Sequence, residues 1–195
     1  MKKIFYKSAK LDFSTSFEGG PESINRRKVG DFWQWACSDL LQNTTRGILA
    51  EYIVAVLLGV DDTPRSPWKA YDLILPDGRT VEVKTMSRLQ AWAQKRLSTP
   101  KVVVQPTRKW DPETGIMEKT PSFNASLYIF CYFNADNYNM ADPLDLTQWE
   151  FFVFTKESIE KLLEKRKSIP LKYLETLGIK SLKAHELREK VKHCH

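Results

Sequence analysis

The spacing of apolar and polar positions along the chain predicts helices first, then a sheet, then more helices. Residues 31–42 and 45–58 have a helical pattern, and Gly59 ends the second helix. A further helix is expected to begin at the capping-box sequence 87–90 and to end before Pro100. The predicted strands are 71–75, 80–85, 101–105, 127–133 and 149–155. Three more helices are predicted at 158–167, 171–177 and 184–191.

This order of elements is typical of a single α/β domain, with a mixed sheet flanked by helices. There is no internal repeat and no linker rich in Gly and Ser. We therefore predict a core with an N-terminal helical lead-in over residues 1–155. Residues 156–195 are predicted to form a basic helical C-terminal extension of the same domain.

The longest apolar run, residues 48–60, is too short for a membrane span and contains Glu51. No membrane partner is expected. The basic start of the chain is not followed by an apolar signal segment, so a cytoplasmic location is predicted.

The composition limits the partners and the catalytic mechanisms that are open to this chain. The 195 residues carry a formal net charge of +6, which permits an anionic partner such as nucleic acid. Three cysteines at wide spacing form neither a disulfide framework nor a zinc motif, and three histidines give little support to a Ser-His or Cys-His mechanism. Catalysis by this chain would have to rest on carboxylates and lysines.

Residues 71–84 predict a β-hairpin around Pro-Asp-Gly, a sequence suited to a three-residue loop with glycine in the left-handed conformation. That loop pairs Leu73 with Val81 and places Asp72 opposite Glu82, with Lys84 on the same face. A two-residue loop would shift the register by one and put the two carboxylates on opposite faces.

Two carboxylates opposed across a hairpin repel each other, so the arrangement needs compensation. One of them is protonated, or Lys84 neutralises them, or a divalent cation lies between them. Mg²⁺ or Mn²⁺ suits such oxygen ligands and leaves coordination positions for phosphate oxygens.

Glu51 is the only charged residue in the otherwise apolar stretch 48–58, a helix expected to be buried on all sides. A buried carboxylate requires a partner or a metal. A purely structural interpretation remains open, in which Glu51 and Lys84 form a buried ion pair and Asp72 caps a turn.

Together these residues resemble the PD-(D/E)XK superfamily of restriction-endonuclease-like nucleases. The resemblance lies in Glu51 on a helix, Asp72 on a strand, and the sequence Glu82-Val83-Lys84 on the next strand. It extends over about residues 30–155, where the segments 110–112, 127–133 and 142–154 resemble a bacterial branch of that superfamily. Tyr71 stands where the superfamily motif has proline.

The resemblance implies a restriction-endonuclease-like core and metal-assisted hydrolysis of a phosphodiester. Asp72 and Glu82 would bind Mg²⁺ or Mn²⁺, with the carbonyl of Val83 as a third ligand. Lys84 would orient or activate the attacking water, and Glu51 would bind the metal directly or through water.

Gln90 or Gln94 resembles an accessory glutamine that some branches carry into the site, although Gln90 would equally complete a capping box. Basic residues interleaved with Trp92 and Trp110 are candidates for contacts with a nucleic-acid backbone. They are Arg88, Lys95, Arg96, Arg108 and Lys109.

The leading functional interpretation is a metal-dependent DNA endonuclease of a restriction, repair or mobile-element system. RNA as the substrate is left open. A homodimer is one way in which such an enzyme could cut both strands. The alternative is a nucleic-acid-binding or assembly module on the same fold without catalysis. A third is a protein unrelated to nucleic acid, in which the charged cluster is a structural ion-pair network.

Overall fold

The computed structural model describes residues 9–66, 69–111 and 115–194. The helices are α1 Glu22–Asn25, α2 Val29–Cys37, α3 Asn43–Leu58, α4 Lys156–Leu163, α5 Leu171–Thr176 and α6 Ala184–Lys192. The strands are β1 Leu73–Ile74, β2 Thr80–Ser87, β3 Lys101–Val102, β4 Trp110–Asp111, β5 Ile116–Met117, β6 Leu127–Phe133, β7 Trp149–Thr155 and β8 Ile169–Pro170.

The central sheet has four strands in the order β1-β2-β6-β7. The β1–β2 and β6–β7 pairs are antiparallel, whereas β2 and β6 are parallel, so the sheet is mixed. The predicted α/β class, with a mixed sheet flanked by helices, is confirmed. Within the described ranges no helix is long and apolar enough to cross a membrane.

Each face of this sheet supports its own core. On one face α3 and α6 cover side chains such as Val83 and Ile129. On the other face Phe130 and Phe152 lie among residues of α4, β8 and α5. Strand β6 is buried along its whole length because both of its faces are covered, which explains its continuous apolar sequence.

The β1–β2 hairpin has the predicted register, with Leu73 opposite Val81. Gly78 adopts a φ of +86°, and its N–H donates to the carbonyl of Leu75 at 2.9 Å. This hydrogen bond closes the three-residue loop. Glycine suits the position because the left-handed conformation is easily adopted only by glycine.

The predicted helix from residue 87 is wrong. Ser87 is the last residue of β2, where it pairs with Phe133 of β6, and residues 88–100 form a loop. The pairing of β2 with β6 extends through Ser87, where the helix would have begun. Strand 101–105 is also shorter than predicted, since β3 ends at Val102 and pairs with β8 outside the central sheet.

The prediction that α3 is buried on all sides is wrong as well. Its Ile48, Tyr52 and Val56 are exposed, whereas Ala50 and Val54 face the core. The helix therefore buries one face only, although its sequence is apolar on both. Of the segments that carried the family resemblance, Pro112 lies outside the described residues.

Candidate active site

A cleft of about 430 Å³ opens on the face of β2 that carries Glu82 and Lys84. Asp72 reaches it from the start of the hairpin, so the structure brings together the three residues that the alternation of side chains placed on one face. The rest of the lining comes from the segments around residues 69–70, 103–110 and 124–128: Lys69, Ala70, Val103, Val104, Gln105, Thr107, Arg108, Trp110, Asn124 and Tyr128.

Asp72 is held by the backbone of the strand that it faces. Its Oδ2 accepts a hydrogen bond from the N–H of Val83 at 2.7 Å, and its own N–H donates to the carbonyl of Val81 at 3.0 Å. Burial, with the neighbouring charges of Glu82 and Glu51, raises the pKa of Asp72 to about 7. Near neutral pH this carboxyl group is therefore present in both its protonated and its ionised form.

Glu82 and Lys84 form an ion pair, with Lys84 Nζ at 2.5 Å from Glu82 Oε1. Their side chains are 21% and 34% exposed, so solvent and small ions reach both groups. Lys84 thus partly neutralises the carboxylates, which is one of the compensations that the sequence required. The structural alternative that paired Lys84 with Glu51 does not describe this arrangement.

Glu51 is paired instead with Arg65, in the segment that follows α3. Arg65 Nε donates to Glu51 Oε2, and Arg65 Nη2 donates to Glu51 Oε1 at 2.8 Å. This hydrogen bond is the main reason why the pKa of Arg65 is raised. Both carboxylate oxygens of Glu51 are therefore engaged by one guanidinium group.

The donor chemistry of the cleft fits a hard divalent cation. Mg²⁺ is commonly bound by one or two carboxylates together with waters and phosphate oxygens, and Asp72 and Glu82 supply two carboxylates. The N–H and carbonyl of one strand residue point to the same edge, so the Val83 carbonyl faces the side on which Asp72 lies. No group of three His, Cys, Asp or Glu residues converges on one metal position within the described ranges.

Only one of the five predicted nucleic-acid contacts lines the cleft, and that residue is Arg108. Lys109 is its neighbour and is exposed, whereas Lys95 and Arg96 are exposed on the loop after β2. Arg88 lines a separate cavity of about 590 Å³ farther along the same sheet face, together with Tyr132.

The side chains of the two predicted accessory glutamines hydrogen-bond to the loop after β2 and to residues beside it. Gln94 donates to the carbonyl of Arg88 at 3.2 Å and to Ser98 Oγ at 2.9 Å, and its Oε1 accepts from the N–H of Gln90 at 2.8 Å. Gln90 is buried and donates to the carbonyl of Ser87 at 3.3 Å. Neither side chain lines the carboxylate cleft.

Sequence reasoning missed three residues at or beside the site. Arg65 and Lys69 lie in the irregular segment between α3 and β1, where no periodicity marks a position as functional. Tyr128 stands opposite Glu82 across the β2–β6 ladder, and burial raises the pKa of its hydroxyl to about 12. Its place at the site depends on the pairing of β2 with β6, which the sequence does not specify.

Comparison with known proteins adds independent evidence for a nuclease. Searches of curated proteins and of solved structures gave no significant match. A family model described as bacteriophage T4 endonuclease IV matches residues 34–173. The match includes α3, the hairpin, the cleft and the strands β6 and β7. Because it covers more than half of the sequence, the chain belongs to the bacteriophage T4 endonuclease IV family.

Proposed function

We propose that this protein is a divalent-metal-dependent endonuclease that hydrolyses phosphodiester bonds in DNA. The observation that carries the proposal is the meeting of Asp72, Glu82 and Lys84 in one cleft of a chain that belongs to an endonuclease family. Two carboxylates can hold a divalent metal and a lysine can stabilise developing negative charge, so this cluster suits metal-assisted hydrolysis. The same cluster, with Glu51 on α3, supports a restriction-endonuclease-like core.

In this proposal Asp72 and Glu82 hold Mg²⁺ or Mn²⁺, and the carbonyl of Val83 is a third oxygen donor. The metal supplies Lewis-acid polarisation of the phosphate and lowers the pKa of water. Asp72 must lose its proton before it can bind the cation, so metal binding is expected to release a proton near neutral pH.

Lys84 has two tasks along this path. Without a metal its ammonium group partly balances Glu82. In the presence of substrate the Lys84 ammonium group would donate hydrogen bonds to the attacking water and to the scissile phosphate, where negative charge develops. Lys69 and Arg108 add positive charge to the cleft wall and suit a polyanionic backbone.

The test is cleavage of double-stranded plasmid, single-stranded DNA and RNA by the purified protein in Mg²⁺, in Mn²⁺ and in EDTA. Lys84→Ala and Glu82→Ala should abolish a metal-dependent activity on DNA. Lys172→Ala and Glu164→Gln, at exposed positions of the C-terminal helical region, are the matched controls and should retain it.

Other results of this cleavage test would support one of the alternative functions. Salt-sensitive DNA binding without cleavage by any of these proteins would favour the non-catalytic binding module on the same fold. Cleavage of RNA alone would change the substrate. The absence of DNA binding, metal binding and cleavage would reject the nuclease. The homodimer, the cytoplasmic location and the biological context remain predictions from sequence.

A further inference from the structure

Glu51, the third candidate carboxylate for the metal, forms an ion pair with Arg65. Both oxygens of Glu51 accept hydrogen bonds from the same guanidinium group, through Nε and through Nη2. A planar guanidinium fork matches a carboxylate in this way and occupies the lone pairs that a metal would use. In this conformation each Glu51 oxygen already accepts a hydrogen bond from Arg65, which would compete with a cation for it.

Glu51 is nevertheless part of the carboxylate cluster electrostatically. Its charge contributes to the raised pKa of Asp72, and Asp72 in turn acts on Arg65. Arg65 and Lys84 are thus two cations that balance three neighbouring carboxylates. Each occupies an oxygen donor set that a divalent ion would take.

The two partners differ in their freedom to move. The Glu51 side chain is 13% exposed and is fixed on a long helix, whereas the Arg65 side chain is 42% exposed and lies in an irregular segment. Arg65 can therefore turn into solvent, or toward a phosphate, without disturbing the core.

We propose that Arg65 is a positioning residue that holds Glu51 away from the metal and is exchanged when the cation binds. This inference rests on the proposed function, because it requires a cation at Asp72 and Glu82. It explains why no three-carboxylate group is assembled among the described residues although the charge of Glu51 acts on Asp72. Metal binding then frees a guanidinium group that suits a phosphodiester.

The test measures Mn²⁺ affinity by calorimetric titration at about pH 8, without nucleic acid. Arg65→Gln should bind Mn²⁺ about three- to tenfold more tightly than wild type, since the competing ion pair is gone. Arg65→Lys offers one donor group in place of the fork and should give a smaller gain in the same direction. Circular dichroism establishes that each variant is folded.

A double-mutant cycle with Glu51→Gln separates exchange from simple charge removal. Under the proposal, Arg65→Gln has no effect on Mn²⁺ affinity when Glu51 is already Gln. An equal gain in both backgrounds would show a general electrostatic effect and overturn the proposal. A weaker affinity in both Arg65 variants would also overturn it and would indicate a purely structural ion pair.

Failure of the exchange and failure of the proposed function give different results. If wild type and Arg65→Gln bind Mn²⁺ equally well, the exchange is rejected while the metal-dependent nuclease stands. If neither protein binds Mn²⁺, both proposals fall together. If both bind, and Arg65→Gln binds more tightly only when Glu51 is intact, the exchange is supported whether or not cleavage has been observed.

Discussion

Replacement of Asp72 by asparagine should stabilise the metal-free protein and at the same time remove its metal affinity. The carboxyl group of Asp72 lies in the field of Glu82 and Glu51, and its pKa is raised mainly by burial. Asparagine has nearly the same shape and keeps an oxygen that accepts the hydrogen bond from the N–H of Val83. It has no charge to bury.

The magnitude follows from the pKa. A rise from 3.8 to about 7 corresponds to on the order of 4 kcal/mol, at about 1.4 kcal/mol for each pKa unit. The folded protein holds this proton more tightly than the unfolded chain. The free energy of unfolding of the wild type therefore falls as the pH rises from about 4 to about 7, and the loss is complete above that range.

We expect Asp72→Asn to exceed the wild type in free energy of unfolding by about 2–4 kcal/mol at pH 8.5, and to be nearly equal to it at pH 4. Urea denaturation in EDTA at both pH values measures this difference. Mn²⁺ titration of the same variant should show that binding is lost. Such an opposition between stability and function is common at active sites.

Asp77→Asn is the matched control. Asp77 is exposed in the hairpin turn, and its hydrogen bonds with Arg79 lower its pKa. The shift has the opposite sign to that of Asp72, so Asp77→Asn should bring no stabilisation at high pH. If Asp72→Asn were no more stable than the wild type at pH 8.5, or if its gain did not depend on pH, the description of Asp72 as an unfavourably buried carboxyl group would be refuted.

Three further substitutions test the loop after β2 and the wall of the cleft. Arg46→Met should lower the free energy of unfolding by about 2–4 kcal/mol, measured by urea denaturation, because the buried guanidinium donates to the carbonyl of Leu89; an unchanged value would contradict this. Gln94→Ala should accelerate amide hydrogen exchange at Ser98, because the Ser98 N–H donates to the carbonyl of Arg88 and Gln94 bonds to both residues. Unchanged exchange at Ser98 would show that the loop closes without Gln94. Arg108→Ala should reduce the slope of log binding constant against log salt concentration by about 1 on DNA; the same slope as wild type would exclude a phosphate contact.

The hairpin could be predicted because its determinants are local. Pro-Asp-Gly specifies a loop length, the loop specifies the pairing of Leu73 with Val81, and alternation then places Asp72 with Glu82 and Lys84. Strands β6 and β7 were equally predictable from long apolar runs with many aromatic residues. In each case the information lies within a few neighbouring residues.

The failures have long-range causes. The helix predicted from Ser87 is absent because pairing with Phe133, far along the chain, extends β2 through that position. The structural interpretation paired Glu51 with Lys84, whereas the partner of Glu51 in the structure is Arg65. Neither contact is visible in hydrophobic periodicity, since both depend on how separate segments are brought together.

The most direct test of the central claim is the single-turnover rate of DNA cleavage at saturating Mg²⁺ for wild type, Lys84→Ala and the control Lys172→Ala. A lysine that acts on the attacking water and the scissile phosphate predicts a loss of about 10²–10⁴-fold for Lys84→Ala and an unchanged rate for the control. Cleavage by Lys84→Ala at the wild-type rate would contradict the assignment of the active site to this cleft.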